Sequence, residues 1–189
     1  MPGVPELGYI ARSWIWNGLK VIGSLPAGLA IRPERSADKG FIENLYRATR
    51  EDLRLLDAEP DFIESLIEMQ FKAQRQGYGD QHPDAMYFIV ESHGEPVGRL
   101  ALAIGPNEVR IIDIAFLPAA RGKGYGKGVI QALQMTAQKV PAPLTLLVLH
   151  TNVQAARLYL SLGFRAEQQN DTHVLMVWYP QADKIIVGA

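Results

Sequence analysis

Residues 109–131 read VRIIDIAFLPAARGKGYGKGVIQ, an apolar strand that passes through a glycine-rich basic turn into a helix. The turn alternates glycines with basic side chains, in the order Arg121, Gly122, Lys123, Gly124, Tyr125, Gly126, Lys127 and Gly128. Glycines let neighbouring backbone amides approach one anion without a Cβ atom in the way. Because the following helix also directs its positive end at this place, the stretch predicts a phosphate-binding turn.

The spacing of the turn excludes two common nucleotide-binding loops. A Walker-type loop requires Ser or Thr after its lysine, but Gly128 follows Lys127. A G-x-G-x-x-G dinucleotide fingerprint would need a third glycine at position 127 or 129, where the chain has Lys127 and Val129. The spacing that remains is R-x-x-G-x-G, which begins at Arg121.

A second motif follows about one strand later. Residues 144–149 are a short apolar run suited to a buried strand, and residues 150–164 read HTNVQAARLYLSLGF. Asn152 is a good N-cap for a helix, and Gly163 is a good residue just beyond its C-terminus. The second motif therefore predicts a short helix with defined ends.

One face of this helix combines Asn152, Ala155 and Tyr159, because positions i, i+3 and i+7 lie on the same side. Small residues between two polar ones suit a slender ligand. The R-x-x-G-x-G spacing, followed by an Asn, two small residues, a Tyr and a Leu-Gly-Phe ending, resembles the GNAT superfamily of N-acetyltransferases. The resemblance covers roughly residues 28–180.

The pattern of the chain predicts an α+β fold. We predict strands at 29–32, 86–91, 97–104, 109–117, 144–149, 164–169 and 173–179, and helices at 36–50, from 60 to about 77–79, at 126–139 and at 152–162. In the second helix the expected apolar stripe is Phe62, Leu66, Met69 and Ala73. The crossover from 109–117 to 144–149 makes these strands parallel neighbours. The resemblance implies a mixed αβα sandwich of six to seven mostly antiparallel strands, with a central parallel splayed pair and helices on both faces.

The resemblance also implies a co-substrate, acetyl-CoA, and the residues that bind it. In such a site the turn holds the pyrophosphate, and the strand end holds the pantetheine amides and offers a backbone N–H to the oxyanion. The implied cofactor-binding residues are Ile114, Ala115, Phe116, Arg121, Gly122, Lys123, Gly124, Tyr125, Gly126, Lys127, Asn152, Ala155 and Tyr159.

Acyl transfer from a thioester to an amine needs a proton acceptor and a proton donor. Tyr159 is the expected donor to the departing thiolate, because a phenol with a pKa of about 10 is protonated at neutral pH. Asp113 is the expected base, since strand alternation places it on a buried or site-facing side. Glu91, Glu108 and His150 also lie near strand ends, and the sequence leaves them open as alternatives.

Composition limits the other function classes. The chain has 189 residues, 48% of them hydrophobic, which suits one sizeable core. The net charge of −1 favours neither a nucleic-acid nor a membrane partner. Absence of cysteine excludes an acyl-cysteine intermediate, and the spacing of the histidines predicts no metal site.

These observations lead to one main hypothesis, an N-acetyltransferase that moves an acetyl group to a primary amine by direct attack in a ternary complex. The alternative is a non-catalytic acyl-CoA-binding sensor or assembly module. We expect a small-molecule or peptide amine acceptor and a cytoplasmic location, and a homodimer is left open. Residues 28–189 are expected to form a single acyl-CoA N-acyltransferase domain, and residues 1–27 an arm or extra strand.

Overall fold

The computed structural model describes residues 25–105, 107–139 and 142–181. Its strands are β1 (Leu29–Pro33), β2 (Met86–Ser92), β3 (Glu95–Ile104), β4 (Val109–Phe116), β5 (Leu144–Leu149), β6 (Arg165–Gln169) and β7 (His173–Trp178). Its α-helices are α1 (Lys39–Thr49), α2 (Glu51–Arg54), α3 (Pro60–Gln81), α4 (Tyr125–Lys139) and α5 (Val153–Ser161), and 3-10 turns lie at Ser36–Asp38 and Pro118–Ala120.

The strands form one 7-stranded sheet in the order β1-β2-β3-β4-β5-β7-β6. The sheet is mixed, with one parallel pair among antiparallel neighbours. This confirms the predicted α+β fold class with six to seven mostly antiparallel strands. Residues 1–24 of the predicted N-terminal arm lie outside the described residues, as do residues 182–189.

Two compact units share the chain. Among the described residues, one consists of 25–103 and 111–128, and the other of 104–105, 107–110, 129–139 and 142–181. Fully buried side chains of the first unit include Ile67, Phe88, Ile89, Val90, Leu100 and Leu102, and those of the second include Ile130, Leu133, Leu144, Leu146 and Phe164. The single domain over residues 28–189 stays a prediction.

Helix α3 differs from the sequence prediction in its buried face and in its end. Ile63 and Ile67 are buried, whereas Phe62 and Met69, expected in the apolar stripe, are each 60% exposed. Both stripes satisfy the helical period, so periodicity alone cannot choose between them. The helix also continues to Gln81 and does not end at the predicted glycines. The short helix α2 had no sequence signal that we recognised.

The C-terminal end of α5 has a Schellman cap. Phe164 N–H donates to Tyr159 O at 3.1 Å, and Gly163 N–H donates to Leu160 O at 3.0 Å. Gly163 supplies the left-handed conformation that this cap requires, with φ of 84°. The Phe164 ring lies 5.7 Å from the Tyr159 ring. The Leu-Gly-Phe ending therefore fixes the turn of helix that carries Tyr159.

The buried residue Asp38 holds the 3-10 turn Ser36–Asp38, which leads directly into α1. Its carboxylate oxygens accept hydrogen bonds from both Arg32 Nη atoms at 2.7 Å, and Oδ2 accepts another from Arg35 N–H at 2.7 Å. This arrangement ties β1 to the start of α1. The Arg32 hydrogen bond lowers the pKa of Asp38 to about 2, against the opposing effect of burial.

We predict that the Asp38→Asn variant is less stable than the parent at neutral pH. Because the folded-state pKa lies below the unfolded value, the ionised carboxylate stabilises the fold above pH 3.8, and this contribution is lost as pH falls toward about 2. Urea unfolding at several pH values should show the two proteins converging in this window. A constant stability difference across the whole range would contradict the assignment.

We predict that Gly163→Ala costs about 1–2 kcal/mol of unfolding free energy, because the left-handed conformation strains any residue with a Cβ atom. Space is not the obstacle, since an added Cβ would lie 3.6 Å from the nearest Trp178 atom. Gly79→Ala is the matched control in α3, where an added Cβ meets no atom within 4 Å. Urea denaturation should find this control neutral or stabilised by up to about 1 kcal/mol. Equal changes in unfolding free energy in the two variants would contradict the requirement for a left-handed residue at position 163.

Candidate functional site

The glycine-rich turn begins where β4 ends. Leu117 N–H donates to Val97 O at 3.0 Å, and Ala120 N–H donates to Leu117 O at 2.8 Å, which closes the 3-10 turn. Gly122 and Gly124 follow with φ of 74° and 80°. Both conformations disfavour side chains, so the glycines at these two positions are required by the path of the backbone.

The turn leaves three backbone amides without an acceptor inside α4. The first hydrogen bond of this helix runs from Gly128 N–H to Gly124 O at 2.9 Å. The N–H groups of Tyr125, Gly126 and Lys127 precede it and therefore have no acceptor within the helix. Three exposed basic side chains flank them: Arg121, Lys123 and Lys127. Amides, helix dipole and cations together favour an anion at this place.

Packing beneath the turn fixes its position. The Tyr125 hydroxyl hydrogen-bonds Ser92 Oγ at 3.0 Å, and its ring lies 6.5 Å from that of Phe116. A Cβ on Gly98 would lie 2.5 Å from the Phe116 ring. Tyr125 is predicted to bind the cofactor through its backbone amide, and its side chain supports the turn from inside the protein. Its backbone N–H is the group it presents to the turn.

Two other glycines of the turn have different roles. A Cβ at Gly128 would lie 2.5 Å from the Pro26 ring, so close packing explains this glycine. Gly126 has no positive φ, and a Cβ there would make only an ordinary 3.6 Å contact with Phe116. The folded chain itself therefore tolerates a side chain at position 126.

Asp113 lies on β4 in a partly buried position. Burial raises the pKa of its carboxyl, while the charge of Arg99 and a hydrogen bond from Ile114 N–H oppose the change. The Arg99 guanidinium is buried, bonds Glu34 Oε2 through Nε at 3.0 Å and lies 4.7 Å from the Tyr87 ring centroid. Asp113 is therefore a carboxylate whose proton is held more tightly than in water.

The alternative bases are committed to other partners. Glu91 accepts from Arg32 Nε at 2.5 Å. Glu108 accepts from Arg110 Nε at 3.1 Å and from Thr145 Oγ1 at 2.8 Å, and His150 Nε2 lies 2.8 Å from the Asn170 carbonyl oxygen. These contacts favour structural roles for all three.

The second motif forms the predicted helix α5. Asn152 Oδ1 accepts a hydrogen bond from Ala155 N–H at 3.2 Å, so the predicted N-cap is confirmed. Asn152 is exposed, Ala155 is half-buried and Tyr159 is buried. Small and polar groups thus follow one another along the face predicted from spacing.

Sequence reasoning missed two residues close to Asp113. Tyr46 of α1 is within electrostatic range of Asp113, and burial raises the pKa of its phenol while Arg50 opposes this. Arg99 is the single charge in the otherwise uncharged run 96–104 of β3. A lone charge in a buried strand was a usable signal for Arg99, whereas the sequence offered none for Tyr46.

A pocket of roughly 150 Å³ is lined by residues of α1 and α3. Its walls are Tyr46, Ile67 and Phe71, and charged side chains at its edge are Glu43, Arg47, Glu68 and Lys72. Within the described ranges, no group of three or more His, Asp or Glu residues is placed to hold a metal ion. The same residues include no helix long and apolar enough to cross a membrane.

Comparison with known structures places the fold. The crystal structure of the PaiA N-acetyltransferase from Thermoplasma acidophilum with coenzyme A has a TM-score of 0.62 at 17% identity, covering 80% of this chain and 98% of that one. Mutant forms of the spermidine/spermine N-acetyltransferase SpeG from Vibrio cholerae give a TM-score of 0.56 at 20% identity, covering 82% of this chain and 95% of that one. At these identities the likeness concerns the fold.

Sequence comparison places the family. The β-lysine N(6)-acetyltransferase of Methanosarcina mazei is 29% identical over 121 residues, which are 63% of this chain and 40% of that protein. The chain therefore matches less than half the length of this curated relative. The model of the acetyltransferase (GNAT) family matches residues 28–164. This match confirms the resemblance found in the two motifs, and the chain belongs to the GNAT acetyltransferase family.

Proposed function

We propose that this protein transfers the acetyl group of acetyl-CoA to the nitrogen of a primary amine. The observation that carries the proposal is the cluster of amides at Tyr125, Gly126 and Lys127 that have no acceptor inside α4, formed after two left-handed glycines in a chain of this family. Such a cluster matches the pyrophosphate of a coenzyme A thioester in charge and in hydrogen-bond donors.

The cofactor is assigned to the chain group by group. The pyrophosphate accepts hydrogen bonds from amides between Gly122 and Lys127, and Arg121, Lys123 and Lys127 neutralise its charge. The pantetheine amides pair with the backbone of Ile114, Ala115 and Phe116, and Asn152 and Ala155 contact the same cofactor. A Cβ at Gly126 would meet no clash within the protein, so packing does not explain the glycine at this position. Close approach of the pyrophosphate to the Gly126 amide would explain it.

The reaction proceeds by direct attack in a ternary complex, and a chain without cysteine offers no thiol for an acyl-cysteine intermediate. The amine nitrogen, having released one proton to solvent, attacks the thioester carbonyl carbon, and Asp113 accepts the second proton that this nitrogen loses as the carbon–nitrogen bond forms. A backbone N–H of the segment Ile114–Phe116 donates to the oxyanion. The carbon–sulfur bond then breaks, and Tyr159 donates its phenolic proton to the departing thiolate.

The environment of each group supports its role. Asp113 has a pKa raised by burial, which makes its carboxylate a stronger proton acceptor than an exposed one. The Schellman cap and the Phe164 ring hold the helical turn that carries Tyr159. A donor must be placed accurately, since general acid catalysis depends on its geometry.

The proposed acceptor is a small-molecule or peptide amine. The β-lysine and spermidine/spermine enzymes named above take acceptors that carry amino groups. Aliphatic amines of this kind are protonated near neutral pH, so the nitrogen must release one proton to solvent before attack and a second one, to Asp113, as the amide forms.

Release of free thiol from acetyl-CoA, measured across a panel of amines, tests the function. We expect thiol release and an acetylated product with at least one primary amine. Tyr159→Phe should lower kcat by about 10²–10⁴-fold, because proton donation to the departing thiolate is lost. The control is Tyr179→Phe, which removes an exposed hydroxyl bonded to Glu167 and should leave kcat unchanged. Acetyl-CoA binding without thiol release for any amine would favour the non-catalytic alternative.

Replacing Gly126 separates folding from cofactor binding. We predict that Gly126→Ala is at least as stable as the parent, because alanine favours the helix and its Cβ has space. Acetyl-CoA affinity, measured by calorimetry, should nevertheless fall about tenfold or more, since the Cβ separates the pyrophosphate from a backbone amide.

The matched control for this change is Gly40→Ala. Gly40 is the second residue of α1, as Gly126 is of α4, and an added Cβ there meets no atom within 4 Å. It should leave acetyl-CoA affinity as in the parent. Unchanged acetyl-CoA affinity in Gly126→Ala would contradict the assignment of the pyrophosphate to this turn.

A further inference from the structure

A buried ion pair between Arg99 and Glu34 lies near Asp113. Arg99 is 6% exposed, and its Nε donates to Glu34 Oε2 at 3.0 Å. Its guanidinium carbon lies 4.7 Å above the ring centroid of Tyr87. A buried guanidinium with one carboxylate partner and an aromatic ring beneath it has little freedom to move.

Strand register places Arg99 beside Asp113. The hydrogen bond from Leu117 N–H to Val97 O and the close approach of Gly98 to Phe116 set Arg99 opposite Ala115. Side chains alternate along β4, so Asp113 lies on the same face as Ala115, diagonal to Arg99. Diagonal positions on neighbouring strands are about 7–8 Å apart, within reach of an arginine side chain.

We propose that Arg99 is a positioning residue for Asp113: held by Glu34 and Tyr87, its guanidinium sets the pH above which Asp113 can accept the proton of the acceptor amine. This inference rests on the proposed function, in which Asp113 is the base. It adds two residues, Arg99 and Glu34, that touch neither substrate nor cofactor in that function.

Other groups near Asp113 come from the helices and from its own strand. Tyr46 on α1 interacts electrostatically with Asp113, and Arg50 and Asp52 act on Tyr46. Burial raises the pKa of the Tyr46 phenol above its usual value, so this group is uncharged near neutral pH. On β4 itself, Ile114 N–H donates a hydrogen bond to the carboxylate. Arg99 is therefore the main opposite charge that acts directly on Asp113.

Arg99 and Glu34 have opposite effects on the pKa of Asp113. Burial raises the pKa of Asp113, and the positive charge of Arg99 opposes this rise. Removing Arg99 should therefore raise the pKa further. Removing the charge of Glu34 leaves Arg99 uncompensated, which strengthens its attraction for the Asp113 carboxylate and should lower the pKa. If Arg99 had a purely structural role, its removal and the removal of the Glu34 charge would not shift the Asp113 pKa in opposite directions.

The first measurement is a carbon-13 NMR titration of the carboxyl groups in the full chain without ligand, with the Asp113 signal identified by its loss in Asp113→Asn. We expect the Asp113 pKa to fall by about one unit in Glu34→Gln and to rise by about one unit in Arg99→Met. Arg99→Lys keeps the charge and should remain nearer the parent; if Arg99→Met does not fold, the fall in Glu34→Gln decides the coupling. Lys39→Met removes a cation whose side chain is 74% exposed and should not move the signal.

The second measurement is the acid limb of kcat/KM against pH in the same variants. The limb should move to lower pH in Glu34→Gln and to higher pH in Arg99→Met, and should stay nearer that of the parent in Arg99→Lys. An unmoved Asp113 pKa, or shifts of the same sign, overturns the coupling. A moved pKa with an unmoved limb overturns the role in catalysis. If the parent protein acetylates no amine, the proposed function fails, and the NMR titration still decides the coupling.

Discussion

The path of the backbone through Gly122 and Gly124 is the constraint on which the site depends. Their φ angles of 74° and 80° turn the chain from the end of β4 into α4 within a few residues. A side chain at either position would cost about 1–2 kcal/mol, because left-handed backbone places Cβ against the following carbonyl oxygen. The result is a helix start with three amides that lack an intrahelical acceptor, beside basic side chains. Anion binding here is a property of backbone geometry, to which the side chains add charge.

A series of close contacts holds that turn in place. Phe116 packs where Gly98 leaves room, and its ring lies near that of Tyr125. Tyr125 in turn hydrogen-bonds Ser92 at the β2–β3 hairpin, where His93 and Gly94 have φ of 52° and 84°. Positive φ at both central residues is the signature of a tight hairpin turn. Contacts of Phe116 and Tyr125 thus join the glycine-rich turn to β2 and β3, and Gly98 leaves the room that Phe116 needs.

The sequence predicted the features that depend on local conformation. The left-handed glycines, the Asn152 N-cap and the Leu-Gly-Phe ending each determine backbone geometry within a few residues, so their spacing identified the turn and α5. It failed where the partner is distant or the pattern is ambiguous. Arg99 and Glu34 are 65 residues apart, and their pairing exists only because β1 and β3 belong to one sheet. The buried face of α3 was misassigned because two stripes share one period.

The central claim is that the amides at the start of α4 hold the pyrophosphate of acetyl-CoA. Backbone amide NMR of the labelled protein during titration with acetyl-CoA tests it most directly. The account predicts that the amide protons of Tyr125, Gly126 and Lys127 move downfield and become protected from exchange, and that coenzyme A lacking the acetyl group produces the same shifts. Saturable acetyl-CoA binding that leaves these three amides unchanged would contradict it.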